Sequence, residues 1–325
     1  MKVGFTYDSK AEHIARGVSP EEAAEVDSEE TIDGIETALR TLGHDVDRIG
    51  DVKSLVKRLA AGDRWDMVFN IAEGLRGPGR EAQVPALLEA YDIPVTFGDS
   101  LCLAVCLHKG HANSIVRDHG IPSPDFVVVD CPGFDFESVG LRYPVIAKPV
   151  AEGTGKGIAA NCKADDPAAL REVCQALLGR HRQPVLVEEF LPGREFTVGI
   201  AGTGEKSRVL GVMEVVLLDN AEPGVYSYAN KDKYEDRVEY RLVDDPEAID
   251  AGDVALAAYR ALGCRDAGRV DIRSDASGRP SFIEANPLAG LNPVHSDLPI
   301  LCRLLGYGYD QLIAGIIASV RERTR

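Results

Sequence analysis

Near the end of the chain, Gly268-Arg269-Val270-Asp271-Ile272 is followed by Phe282-Ile283-Glu284-Ala285-Asn286-Pro287. Apolar residues alternate through both stretches, which predicts two neighbouring strands with Asp271, Glu284 and Asn286 on one surface and Arg269 beside them. Three hard oxygen donors suit Mg²⁺ shared with nucleotide phosphates, and a guanidinium alongside suits charge that develops during phosphoryl transfer. The competing reading is a pair of solvated strands with ordinary surface carboxylates.

Working outward, the first hundred residues alternate strand and helix signals. Strands are expected at Met1 to Tyr7, Asp45 to Ile49, Trp65 to Ile71 and Ile93 to Gly98. Between the first two lies a helix with Ile32, Ile35, Leu39 and Leu42 at helical spacing, bracketed by Asp27 and Glu30 as a capping box and stopped at Gly43. This order gives an open parallel sheet whose ligands gather at the carboxyl ends of strands, where Glu73 and Gly74 sit. A helix from Leu101 toward Gly120 and a Pro-rich turn lead into a smaller unit, and beyond it the strands read as antiparallel. The expected division is an N-terminal doubly wound domain at 1–100, a central α+β lobe at 101–187 and a C-terminal antiparallel lobe at 188–325.

Three segments upstream of the opening motif carry chemistry. Tyr143 to Pro149 is a strand that delivers Lys148 at its end, where it can meet phosphate as a point charge. It runs into Glu152-Gly153-Thr154-Gly155-Lys156-Gly157, whose glycines let backbone approach phosphates closely. The loop matches neither GxxxxGK[ST] nor GxGxxG, and a simple tight turn is an equal reading. Glu188 and Glu195 flank the turn Phe190-Leu191-Pro192-Gly193, suited to an adenine edge and ribose hydroxyls. The stretch from residue 218 to 234 reads as a loop closing over a site, with Lys231 or Lys233 available to a transferring phosphate. His295 is given no catalytic role.

The chain has 325 residues, 36 basic against 52 acidic, and a formal charge of −16, which argues against a nucleic-acid or anionic-membrane partner. The N-terminus enters directly as a strand without a signal-peptide pattern, so a cytoplasmic protein is expected. Seven scattered cysteines without a CxxC pair read as reduced, mostly buried small apolar residues, a pattern that points away from disulfides and zinc.

Four separated motifs resemble the ATP-grasp superfamily and, within it, the D-alanine-D-alanine ligase family: Leu107-His108-Lys109, Val145 to Pro149 with its Gly-rich loop, Glu188 to Glu195, and Arg269-Val270-Asp271 with Glu284-Ala285-Asn286. The resemblance implies the ATP-grasp fold, with ATP between the central and C-terminal lobes. It implies Lys109 and Lys148 as phosphate lysines, with Gly153 and Gly155 in the covering loop. Glu188 falls at the adenine hinge and Glu195 at the ribose. Asp271, Glu284 and Asn286 would hold two Mg²⁺ ions, with Mn²⁺ as the alternative. Arg269, Lys231, Thr154 and the Gly290 backbone would act on the reacting atoms, and Glu12 and Ser296 on the substrates. The implied reaction is ATP-dependent amide or peptide bond formation through an acyl phosphate, acting on amino acid or peptide substrates, in a homodimer.

Departures from the family cluster where substrates bind. An arginine and a serine pair give way to Ala151, Thr154, Gly155 and Lys156 in the central loop. Asp232 follows the lid lysine where the family has tyrosine, with Tyr228 and Tyr234 nearby. Asn292 to Asp297 replaces a serine-leucine pair that holds the second substrate's carboxylate. A ligase for D-alanine and a ligase specialised for another amino acid, peptide or natural-product amine both fit, and a non-catalytic ATP-binding regulator is the alternative from another class.

Overall fold

The computed structural model describes every residue except 21, 154, 158–159, 223–229, 231–233 and 325. The chain opens with β1 (Lys2–Thr6), α1 (Lys10–Ala15), α2 (Glu29–Thr41), β2 (Asp45–Gly50), α3 (Val52–Ala60), β3 (Met67–Asn70) and α4 (Gln83–Ala90). The three strands form a parallel sheet of order β2-β1-β3. Two sequence expectations change here. The segment 93–98 makes only an isolated bridge, Val68 to Val95. The cap of α2 is Ser28, whose side chain accepts from the Thr31 N–H, rather than Asp27. Serine takes the cap because it directly precedes the first helical residue, leaving Asp27 one position outside, paired through its backbone with Asp8 and Lys10.

The single helix expected from 101 to 120 is two, α5 (Ser100–Leu107) and α6 (Lys109–Asp118). His108 separates them with an extended backbone, and its side chain caps α6 by accepting from His111 N–H. This break places Lys109 in the first turn of a helix, where its ammonium turns into the cleft instead of continuing along α5.

The central lobe holds β4 (Phe126–Val129), β5 (Val145–Pro149), β6 (Lys163–Ala164), α7 (Pro167–His181) and β7 (Val185–Glu189), in a sheet of order β4-β7-β5-β6. The expected boundary at residue 187 therefore cuts through β7. The break falls after Glu189, because Val185, Leu186 and Val187 pair with β4 and β5 in the lobe's own sheet.

The C-terminal lobe follows with β8 (Glu195–Ala201), β9 (Arg208–Leu217), α8 (Tyr234–Arg237), β10 (Val238–Val243), α9 (Pro246–Ala261), β11 (Ala267–Ser274), β12 (Pro280–Asn286), α10 (Asp297–Leu304) and α11 (Tyr309–Arg323). Its five strands are antiparallel, ordered β10-β9-β8-β11-β12. Strand alternation sends Phe196, Val198, Val270, Ile272 and Phe282 to one face, packed on α9. The helix offers Ala248, Ala251, Gly252, Ala255 and Ala258, small residues at helical spacing that bring its axis close. The opposite face carries Glu195, Thr197, Arg269, Asp271 and Arg273, the polar side of the sheet. No single helix among the described residues is long and apolar enough to cross a membrane.

Gly193, in the turn between β7 and β8, leaves no room for a side chain: a Cβ there would lie 2.6 Å from the Ser274 carbonyl oxygen and 2.8 Å from that of Asp275. Gly193→Ala is expected to destabilise the protein by about 1–3 kcal/mol. Gly179→Ala, at an open position inside α7, is expected to stabilise it by roughly 0.5–1 kcal/mol. Denaturant midpoints of the two variants check both signs.

Candidate active site

Strands β11 and β12 pair so that Arg269 faces Asn286 and Asp271 faces Glu284, and the next pair is Ile272 with Phe282. Ile283 is therefore a bulge. Without it, pleating would send Ile283 and Glu284 to opposite faces; with it, both line the same cavity. Asp271 accepts a hydrogen bond from Thr197 Oγ1 at 3.0 Å and one from Asn286 Nδ2 at 3.3 Å. Glu284 lies 3.2 Å from Lys109 Nζ. Arg269 spans this cluster, bonding Asp271 at 3.4 Å and also Asp297. The donor set is two carboxylates and an amide on adjacent strands, all hard oxygen, and it fits a divalent cation of the Mg²⁺ type.

Between the central and C-terminal sheets is a cavity of about 80 Å³. Ile146, Phe190, Leu191 and Ile283 supply its apolar wall, and Lys109, Lys148, Glu188 and Glu195 its polar contacts. Lys148 on β5 and Glu188 on β7 are diagonal neighbours across the strand pair, both buried and 2.6 Å apart. Burial works to lower the Lys148 ammonium, but the Glu188, Glu284 and Glu195 carboxylates outweigh it and its pKa is raised. The second oxygen of Glu188 is buried with no hydrogen-bond partner among the described residues, an acceptor left for a ligand to satisfy. Glu195 pairs with Arg273 at 3.0 Å, and the guanidinium of Arg273 lies over the Phe190 ring.

The Gly-rich loop closes one end of this cavity with Gly155. It is held by Lys109 Nζ donating to the Glu152 carbonyl at 2.6 Å, Gly153 N–H to Glu25 at 2.8 Å and Arg80 to the Ala151 carbonyl at 2.7 Å. Thr154 and Lys231, expected to act on the reacting atoms, lie outside the described residues, as do Tyr228 and Asp232.

A second cavity, of about 340 Å³, adjoins the first and shares Lys109, Glu152 and Glu284 with it. Gly153, Gly290, Ser296 and Asp297 line it from the two later lobes, and Lys10, Glu25, Asp27, Glu73 and Glu81 from the first domain. Ser296 Oγ accepts from the Asn292 N–H at 3.0 Å, fixing the loop that precedes α10. Glu12 is not there. It sits on an exposed face of α1, paired with Arg16 one helical turn on at 2.8 Å. Glu25 takes the interior position instead, bonded to Arg80 and to the loop.

Glu25 and Asp27 lie in an irregular connection without periodicity, where sequence spacing carries no direction for a side chain. The concentration of acid has electrostatic consequences. Burial, then Asp8, pushes Asp27 up to about 8, and burial pushes Glu81 up to about 7. Glu73 is raised further by burial and by Glu25, Glu81 and Asp27.

Residues 115–318 match the family model described as the D-ala D-ala ligase C-terminus. A D-alanine--D-alanine ligase of Bordetella petrii is 31% identical, over 88% of this chain and 85% of its own. The chain belongs to the D-alanine-D-alanine ligase family. It is accordingly an ATP-dependent ligase. The fold agrees with two solved relatives. The D-alanine--D-alanine ligase of Bacillus anthracis, complexed with ATP, superposes with a TM-score of 0.74 at 20% identity over 100% of this chain and 98% of that one. The VanG D-Ala:D-Ser ligase of Enterococcus faecalis gives 0.73 at 21% identity, over 98% and 99%. The family match accounts for the order of the motifs along the chain, and the ATP-grasp architecture for the cleft between the central and C-terminal sheets.

A carboxyl raised on folding binds its proton more tightly in the native than in the unfolded chain, so Asp27 and Glu81 favour folding at low pH and cost stability as pH rises. Melting temperature is expected to decline through the window from the ordinary carboxylate range up to about pH 8. Asp27→Asn should raise it at the upper end, leave it little changed near pH 4, and flatten the profile between.

Proposed function

We propose that this ligase converts a small carboxylic acid to its acyl phosphate with ATP and passes the acyl group to an amine. A carboxylate oxygen of the acid attacks the γ-phosphorus and ADP leaves. The amine nitrogen then attacks the acyl carbon and phosphate leaves, the amine losing a proton. The observation that carries the reading is the wall common to the two cavities. Lys109 and Glu284 touch both, so a nucleotide lying along Lys148 and Glu188 presents its terminal phosphate to whatever occupies the larger cavity.

Asp271, Glu284 and Asn286 are the residues that would hold Mg²⁺, which when bound offsets charge on the phosphates. Lys109 and Lys148 add point charges along the phosphate chain. Arg269 and the Gly290 backbone stand where the tetrahedral centre would form. Glu188 and Glu195 are suited to the adenine edge and the ribose. Hydroxylamine traps an acyl phosphate as a hydroxamate whichever amine is native. Hydroxamate with ADP is therefore expected from a panel of D- and L-amino acids. Asp271→Asn should lower its rate at least about 100-fold with the fold intact, as loss of charge stabilisation at a phosphoryl centre does. ATP hydrolysis without hydroxamate from any acid would defeat the reading.

One contact favours a specialised amine over D-alanine as the acceptor. A guanidinium beside a helix N-terminus is a natural seat for a carboxylate. Here Asp297, the first residue of α10, already fills it, paired with Arg269 and accepting from Tyr240 Oη at 3.2 Å. A second carboxylate brought by the acceptor would meet the charge of this one in the same cavity. The preferred acceptor is therefore an amine without a neighbouring carboxylate, such as an amino amide or a diamine. Alaninamide is expected to outcompete alanine as acceptor by about tenfold or more in kcat/KM, and Asp297→Asn to narrow that ratio. Equal use of both by the native enzyme would remove this preference and leave the acyl-phosphate reading standing.

A further inference from the structure

Outside the cleft, the cysteines are not all scattered in space. Cys102 and Cys106 are one turn apart on α5, and Cys264 approaches them from the turn before β11. The three sulfurs lie within 4.8 Å of one another, those of Cys102 and Cys264 being 3.8 Å apart, and all three residues are buried. We infer that Cys102, Cys106 and Cys264 form a binding site for a thiophilic closed-shell cation, Zn²⁺ or Cu⁺.

A buried thiol ordinarily serves as a small apolar residue, and three in contact satisfy that role equally well. Spacing, charge and access together go beyond packing. A Zn–S bond of about 2.3 Å gives sulfur–sulfur edges of roughly 3.8 Å in a tetrahedron and about 4.0 Å in a trigonal plane. The observed separation needs little adjustment to either. The donors are all sulfur, with no histidine in the cluster, which selects soft ions over Mg²⁺ or Ca²⁺.

The surroundings favour a ligating thiolate. Arg265, paired with Asp99, stands beside Cys102 at the mouth of the cluster. Cys102 also occupies the first turn of α5, where helix N–H groups favour negative charge. The backbone around the ligands is fixed, with Cys102 N–H donating to the N-cap Asp99 at 2.9 Å and Cys264 N–H to the Tyr259 carbonyl at 3.0 Å. An open cavity of about 410 Å³ runs along Cys102 and Cys264 and supplies an entry path and space for a fourth ligand from solvent.

The site joins α5 to the start of β11, the strand that carries Arg269 and Asp271. Cys106 also lines the larger cavity. A bound ion would thus pin the back of the substrate cavity to the catalytic strand, and each thiol that becomes a ligand would release a proton to solvent.

The test uses full-length protein carrying Cys131→Ser, which removes the exposed thiol that soft metals would label adventitiously. Reduced, metal-free protein is titrated anaerobically with Zn²⁺ and, separately, with Cu⁺, each against a competing chromophoric chelator. One equivalent per chain is expected. The tighter arm relative to its chelator identifies the ion. Cys102→Ser, Cys106→Ser and Cys264→Ser should each weaken binding by more than the roughly 10–100-fold that loss of an outer-shell partner costs. Their metal-free unfolding midpoints report whether they fold. Independently of any variant, Co²⁺ loaded in place of Zn²⁺ should give thiolate-to-metal charge-transfer absorption. No stoichiometric binding in either arm, binding that survives all three substitutions, or a Co²⁺ adduct without thiolate bands would each reduce the cluster to packing.

Discussion

The pairing of β11 with β12 is the constraint on which the site depends. Register alone places Arg269 opposite Asn286 and Asp271 opposite Glu284, and the bulge at Ile283 turns an apolar and an acidic neighbour to the same side. A sheet without the bulge would offer either the oxygen cluster or the apolar wall to that cavity at these positions. The register is held from behind, since Val270, Ile272, Phe282 and Ala285 are buried against α9, and a slip of one residue would expose them all. The polar cluster and the core packing are thus alternating sides of the same two strands.

Charge is the second organising term. The larger cavity is lined by seven carboxylates, of Glu25, Asp27, Glu73, Glu81, Glu152, Glu284 and Asp297. Two of its described cations are already engaged with carboxylates, Lys109 with Glu284 and Arg269 with Asp271 and Asp297, and Arg80, outside the lining, pairs with Glu25. Raised pKa values for Asp27, Glu73 and Glu81 follow first from burial and then from like charges nearby. Such a cavity holds protons or cations readily and further anions poorly. The smaller cavity also carries more acid than base, with Lys109, Lys148 and Arg273 each paired to one of its carboxylates.

How much of this was legible in the sequence divides along physical lines. The strand carrying Arg269 and Asp271, the lysine at the end of β5 and the Glu188 to Glu195 turn were readable because alternation fixes side-chain direction within a strand. Glu25 and Arg80 were not, because irregular backbone has no period and their partnership spans fifty-five residues. Glu12 misled for the related reason that a motif match assigns residue type without direction, and on α1 that residue faces solvent. The cap of α2 went to Ser28 over Asp27 by one position, a distance below what spacing resolves. The cysteine cluster was hidden by the 158 positions that separate Cys106 from Cys264, a separation only the tertiary fold closes.

The distribution of the core shows which parts of the enzyme are fixed to one another. One buried cluster joins the first sheet, α2, α10 and α11, and another joins α5 and α6 to the C-terminal sheet, so the first domain and the C-terminal lobe share their cores. Asp266 reinforces that union. Its buried carboxylate accepts from the Phe97 N–H at 2.7 Å and from two nitrogens of Arg323 at 3.0 Å, tying the edge of the first domain to the last helix. The central lobe has a separate core of Val129, Phe136, Val145, Leu170, Val187 and their neighbours. It joins the rest through the 119–125 and 190–194 connections, α6 against β4, Lys109 bonded to Val150 and Glu152, and the hydrogen bonds of Glu25 and Arg80 to the Gly-rich loop. Those polar contacts sit at the mouth of the cleft and are exchangeable for ligand contacts, whereas a shared apolar core is not. The shared core thus fixes the strands that carry Asp271 and Glu284 to the larger cavity, whereas the central lobe faces them across contacts that a ligand can replace.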